Sequence, residues 1–197
     1  MQSARELFIH ELTDMLDAEQ KLVEALGQLA DDHSAEPQLQ KGFQSHQAQT
    51  EKQVQRIQQI FEQMGEEPEE TECKGIKGLI EERDSFKEEE NPAEDILAVF
   101  DVGASIKVES YEIDAYNGLI RLAEQLDMSK ATKLLNQNLK EEEQTRTKLE
   151  AMARKLKPGN LGTEEGEGEE MGEEEESLPA RRGAASTKGK GRSRNVA

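Results

Sequence analysis

Tryptophan is absent from this 197-residue chain, cysteine occurs once and histidine three times. A single cysteine, Cys73, excludes an intrachain disulfide and a cysteine-built zinc cluster. Set between Glu72 and Lys74, it reads as a bystander in a polar loop, with no histidine near it in sequence to activate the thiol. Aromatic residues make up 4% of the chain, which suits the narrow apolar seams of a helical bundle better than the core of a sheet protein. Long apolar runs are missing too, since none approaches the roughly 18–20 residues of a membrane-spanning helix. The opening stretch carries charge at Arg5, Glu6 and Glu11 and has no continuous apolar core, so no secretory signal is read there and a cytoplasmic location is expected. Cations are outnumbered, 25 Lys and Arg against 43 Asp and Glu, for a formal charge of −18. With a mean hydropathy of −0.88, that acidity argues against a nucleic-acid-binding face on the folded part and against adhesion to anionic membranes.

What the chain has is helical periodicity. A first helix opens at Ser3-Ala-Arg-Glu6, a capping-box pattern, and runs to about Asp32 with Phe8, Leu12, Leu16, Glu19, Leu22, Leu26 and Leu29 on one stripe. A second begins near Pro37 and ends at Met64 before Gly65, its stripe passing through Leu39, Phe43, His46, Thr50, Val54, Ile57 and Phe61. The short link between them makes an antiparallel hairpin. After an acidic loop, Gly75–Glu90 carries a weaker helical pattern. Asn91 then reads as an N-cap and Pro92 as a first helical residue. The third long helix follows to about Leu126, with a stripe through Leu97, Phe100, Ala104, Val108, Glu112, Ala115, Leu119 and Leu122. The fourth spans Ser129 to Leu156 and carries Leu135, Asn138, Glu142, Thr145, Leu149 and Met152.

Two hairpins joined by one long crossover, Gly65–Glu90, predict an all-α, ferritin-like antiparallel four-helix bundle with a short extra helix in the connection. The expected domain is residues 1–160. Residues 161–197 read as a disordered charged tail, acidic over 164–176 and basic over 181–194, without apolar periodicity. Weak nucleic-acid contact by the basic end is the one exception to the composition argument.

Each long helix places a polar residue where its stripe calls for a hydrophobe: Glu19, His46, Glu112 and Glu142. A lone carboxylate in a bundle core costs several kcal/mol unless something pairs with it. In an antiparallel hairpin, residues equidistant from the turn share a height at about 1.5 Å of rise per residue. Glu19 and His46 are nearly equidistant from a turn centred at His33, as are Glu112 and Glu142 from one at Met128, so all four are expected mid-bundle. Glu109, three residues before Glu112, lies on the same helix face. Setting Glu19 over Glu112 also aligns Leu26 with Leu119 and Ala30 with Ala123, a faint duplication of the hairpin.

Carboxylates that converge inside a bundle with an imidazole are the donor set of dinuclear iron or manganese sites, where they bridge the ions and neutralise their charge. The candidate ligands are Glu19, His46, Glu109, Glu112 and Glu142. The chain has no Glu-x-x-His, and of its histidines His10 is some 13 Å along the axis from Glu19 while His33 falls in a turn and is expected exposed. Simpler roles stay open. Glu19 has Thr50 or Tyr111 as a possible partner, His46 reads equally as a satisfied core histidine, and Glu109 as a solvent-facing residue. Tyr111 and Tyr116 are either ligand-orienting groups or ordinary packing.

The motifs Glu6-Leu-Phe-Ile-His10, Asp17-Ala-Glu-Gln-Lys-Leu22, Lys107-Val-Glu-Ser-Tyr-Glu-Ile113 and Leu139-Lys-Glu-Glu-Glu143 resemble the YciE/YciF-like branch of the ferritin superfamily. The likeness spans about Glu6 to Lys155. It implies a ferritin-like bundle with an added short helix, a homodimer, an association with osmotic and general stress, and bundle-centre positions at Glu19, His46, Glu109, Glu112 and Glu142. Where the family often has Glu and His, this chain has Ala48, Glu51 and Ser110, which lowers the expectation of redox catalysis. The leading expectation is a cytoplasmic stress protein with one or two iron or manganese ions in its bundle. A metal-free structural or interaction bundle is the alternative, and a di-metal oxidase or peroxidase ranks third.

Overall fold

The computed structural model describes residues 1–159. Five helices occur in this span: α1 (Ala4–Asp32), α2 (Pro37–Met64), α3 (Lys74–Glu90), α4 (Glu94–Gln125) and α5 (Ser129–Ala153). Helix α1 pairs with α2 and α4 with α5, and the two hairpins meet through α2 against α5 and α1 against α4. Helix α3, carried by the crossover, lies on α1 and α4. This is the ferritin-like bundle expected from the periodicity. The expected charged tail lies outside the described residues.

Local chemistry accounts for the helix ends. The Ser3 hydroxyl accepts from the Glu6 amide at the start of α1, and the Glu6 carboxylate accepts from the amide of Gln2 rather than of Ser3. Pro37 opens α2, and Gly65, at φ 67°, closes it in the left-handed conformation that glycine adopts without strain. Three expectations need correction. Asn91 does not cap α4; it ends α3 with φ 41°, a left-handed site that asparagine tolerates as readily as an N-cap, and Ala93 precedes α4 instead. Helix α5 stops at Ala153, before Leu156. The stripe assigned to α4 is displaced around the helix: its buried residues are Leu97, Ala98, Asp101, Val102, Ser105, Glu109, Glu112, Tyr116, Leu119, Ile120 and Ala123.

That displacement has a physical cause. Helix α4 packs on two sides, and Phe100 and Tyr111 face α3 rather than the bundle centre. Phe100 stacks on Phe86 at 3.8 Å between ring centroids. The Tyr111 hydroxyl lies 3.3 Å from the Cys73 thiol, and a Cβ on Gly75 would come within 2.5 Å of the Tyr111 ring, so glycine is required there. Cys73 is therefore buried under α4 rather than displayed in a polar loop. Its amide donates to Asp17, fixing the start of α3.

His33 is likewise buried, contrary to expectation. It stacks on Phe43 and its Nε2 lies 2.8 Å from Asp101. Arg83 of α3 reaches Asp101 with two nitrogens at 2.8 Å and Asp32 at 2.6 Å, and Lys87 also reaches Asp32. These contacts fasten the crossover helix over the α1–α2 turn.

The apolar core comes in two parts. One surrounds Phe8, Leu12, Ile57, Phe61, Leu119 and Leu135; the other surrounds Leu26, Leu39, Phe43, Val102 and Leu149. Between them lies a layer of polar side chains.

Candidate metal centre

Helical spacing builds the polar layer. On α2, His46, Thr50, Gln53 and Ile57 follow one buried stripe; on α4, Asp101, Ser105, Glu109, Glu112 and Tyr116 do the same. Glu19 projects from α1, and Asn138 and Glu142 from α5. All five expected ligands are buried, with Glu19, Glu109 and Glu142 fully so and His46 at 8% exposure the most open. His10 is exposed and takes no part. Ala48 and Glu51 also face outward, and Ser110 donates to its own helix at Ile106, so these three lie off the centre.

Two groups form. Glu19, Glu112 and Glu142 bring one oxygen each within 4.8 Å of one another, and His46, Glu109 and Glu142 do the same with an imidazole nitrogen. Glu142 belongs to both. His46 Nε2 is 3.3 Å from Glu109 and 3.9 Å from Glu142. Glu19, His46, Glu112 and Glu142 thus meet at one height, as their distances from the hairpin turns predict, and Glu109 faces the centre, not solvent.

Around these groups lies a scaffold of which sequence reasoning named only part. The Tyr116 hydroxyl donates to Glu19 and accepts from Asn138 at 2.8 Å. Gln53 donates to Glu142. Arg56 holds the Asn138 carbonyl oxygen at 2.8 Å and grips Glu141 with two nitrogens. Tyr116, rather than Thr50 or Tyr111, is the partner of Glu19. Gln53 went unnamed, although its position seven residues beyond His46 on the same stripe was the available signal.

Hydrogen bonding leaves the carboxylates incomplete. Glu19 Oε2, both oxygens of Glu109, Glu112 Oε1 and Glu142 Oε2 are buried without a partner. Buried polar atoms are almost always satisfied, so five orphaned carboxylate oxygens in one layer, with Gln53 Oε1 beside them, are exceptional. Burial first, then the Glu142 carboxylate, pushes Glu109 up to about 11. The same two causes, in the same order, raise Glu19 and Glu112 well above the ordinary carboxylate range. Like charges this close cannot all stay ionised in a dry core unless a cation joins them. Four carboxylates and one imidazole fit a pair of divalent ions: the full negative charge matches two dications, and oxygen with imidazole nitrogen suits iron or manganese.

Comparisons with known proteins agree with the fold. The domain of unknown function DUF892 matches residues 3–161, and the chain belongs to that family. It is 38% identical to protein YciF of Escherichia coli strain K12 over 156 residues, 78% of this chain and 92% of that protein. The crystal structure of that protein, described as an E. coli stress protein, superposes with a TM-score of 0.70, covering 78% of this chain and 96% of the other. A protein described as a putative structural protein from Rhodopseudomonas palustris superposes at 0.72 with 34% identity, covering 76% and 94%. A protein from Xanthomonas campestris pv. campestris shares the fold at 17% identity and a TM-score of 0.62, covering 77% and 92%.

Proposed function

We propose that this DUF892 member is a ferritin-like stress protein of the cytoplasm that holds two divalent iron or manganese ions in its polar layer. Glu19, Glu112 and Glu142 would hold one ion and His46, Glu109 and Glu142 the other, with Glu142 common to both. The observation that carries this reading is the set of five buried carboxylate oxygens without hydrogen-bond partners. When bound, such ions supply charge neutralisation and Lewis acidity. The chain's own groups do the rest. Tyr116 and Gln53 each occupy one oxygen of Glu19 and Glu142 and leave the other directed at the centre. Asn138, itself held by Arg56, donates to Tyr116, and the two apolar clusters flank the layer.

The stress association is supported by the description of the E. coli relative. The cytoplasmic location accords with the finding that no described helix is long and apolar enough to cross a membrane. The homodimer implied by the resemblance belongs to the same proposal and is tested by light scattering. One imidazole among the donors favours binding over redox turnover.

A metal-free structural bundle is the second reading. Its support is the raised proton affinity of Glu19, Glu109 and Glu112, which lets protonation take the place of a cation, together with the description of the R. palustris relative as a putative structural protein. Elemental analysis of the full chain, purified without chelator, separates the two. The proposal expects two iron or manganese ions per chain, reduced by Glu142→Gln, whereas metal-free protein from iron- and manganese-replete cells overturns it.

A further inference from the structure

Arg56 on α2 has a partly exposed side chain, yet it begins a hydrogen-bonded chain that ends at the fully buried Glu19. The chain takes one residue from each long helix: Arg56 from α2, Asn138 from α5, Tyr116 from α4 and Glu19 from α1. A guanidinium carries donors and no acceptor, so the atom that meets it must accept. Asn138 accordingly turns its Oδ1 to Arg56 at 2.8 Å. Its Nδ2 then points the other way, to the Tyr116 hydroxyl at 2.8 Å and the Gln53 backbone carbonyl oxygen at 3.4 Å. An amide nitrogen donates only. The Tyr116 oxygen therefore accepts from Asn138, and its own proton goes to Glu19 Oε1.

Every bond in this series points inward because arginine cannot accept. An asparagine amide and a tyrosine hydroxyl could each run in either direction; Arg56 settles both. Successive donors also polarise one another, and this series starts at a full positive charge. Glu19 Oε1 is thereby occupied, and Oε2, buried without a partner, is the oxygen left for an ion. The other ion group has nothing comparable. Gln53 donates to Glu142, which both groups share, while both oxygens of Glu109 are without a donor.

We infer that Arg56 is the positioning residue for the ion group of Glu19, Glu112 and Glu142, acting through Asn138 and Tyr116 to fix Glu19 with Oε2 as its one free oxygen. The group of His46 and Glu109 does not depend on it, so the two ions are held unequally. The inference rests on the reading of the polar layer as a metal centre and adds this inequality to it. Glu141, which also accepts from Arg56, is partly exposed and steadies the guanidinium without joining the chain.

Mn(II) titration of the chelator-treated full chain, with free Mn(II) counted by electron paramagnetic resonance, tests the inference. Arg56→Met keeps an unbranched stem and removes the donor, and it should weaken one of the two ions about 10–100-fold while sparing the other. Arg56→Lys, whose ammonium also donates only, should recover most of that loss. Glu141→Gln, which still offers the guanidinium an acceptor, should change neither ion. Unaltered binding in Arg56→Met, equal weakening of both ions, or a lysine variant no better than the methionine one would each overturn the inference. Metal-free protein supplies a second arm. Arg56 and Tyr116 are joined only through Asn138, so the losses from Arg56→Met and Tyr116→Phe in urea should be non-additive, with the double variant losing less than the two single variants together. Additive losses would overturn the relay. A wild-type chain that takes up no Mn(II) would defeat the proposed function, and the urea cycle would still decide whether Arg56 acts on Glu19.

Discussion

Tyr116 on α4 donates its hydroxyl proton to Glu19 on α1, joining the two hairpins at the edge of the polar layer. Asn138 donates to the same hydroxyl from α5, so one phenol ties three helices together. Tyr116→Phe removes both links while leaving the ring in place. The buried Glu19 oxygen and the Asn138 amide then lose a partner, at a cost of about 1–3 kcal/mol. Urea titration of the variant checks this, and a neutral result would mean that the hydroxyl contributes packing alone.

Stability of the metal-free protein should fall as pH rises from mildly acidic to alkaline. Glu109 is raised to about 11, and Glu19 and Glu112 are raised as well. Above the ordinary carboxylate range the unfolded chain has released these protons while the folded chain still holds them, so folding is linked to proton uptake and alkali opposes it. Their contribution is fully present below the unfolded values and is lost toward the folded ones. Asp32 and Asp101, lowered by Arg83 with Lys87 and His33 against the cost of burial, act in the opposite sense: their contribution is present above the ordinary aspartate range and lost in strong acid. Melting temperatures of chelator-treated protein at pH 5.5 and 8.5 should differ in favour of the lower pH. Bound metal, which replaces the protons, should shrink or reverse that difference.

Removing Arg83 should unfasten α3. Arg83→Ala leaves Asp101, which is fully buried, without its guanidinium partner, and breaking a buried pair on one side typically costs about 3–5 kcal/mol. Arg83→Lys should rescue only part of this, because an ammonium cannot reproduce the two-nitrogen grip. Denaturant titration gives the magnitude, and hydrogen exchange confined to 74–90 would show whether the crossover helix loosens first.

Leu26 and Leu122, each on an apolar stripe of its helix, are not buried alike. Leu26 is 4% exposed inside the second apolar cluster, so Leu26→Ala should cost about 2–5 kcal/mol. Leu122 is only partly buried against the first cluster, and Leu122→Ala should fall below that range. Equal losses in equilibrium unfolding would contradict the assigned orientation of α4.

Those contrasts mark where the sequence was legible. The first two helices were readable because Ser3, Pro37 and Gly65 punctuate stripes that bury on one side only. Matched heights in the hairpins put Glu19, His46, Glu112 and Glu142 in one layer with no knowledge of packing angles. Helix α4 was harder. Its core face is built partly from Asp101, Ser105 and Glu109, while Phe100 and Tyr111 serve the crossover helix, so hydrophobicity alone pointed to the wrong side. The burial of His33 and Cys73 depends on α3 docking over them, a tertiary event with no local signature. Asn138 sat on a readable stripe, whereas Tyr116 and Gln53 lay beside theirs, and the partners of all three became identifiable only once four helices were in place.

Melting curves of the chelator-treated full chain with and without Mn(II) or Fe(II), run for wild type and Glu112→Gln, test the central claim most directly. A site formed only in the folded state gives stabilisation by linkage, about 2.7 kcal/mol at a hundredfold excess over Kd. The wild-type melting temperature should therefore rise with metal. Glu112→Gln should blunt that rise and, without metal at alkaline pH, should be at least as stable as wild type, because glutamine mimics the protonated acid without the cost of ionising it. A wild-type curve that does not move at millimolar Mn(II) or Fe(II) would contradict the metal centre and leave the protonated, structural bundle in its place.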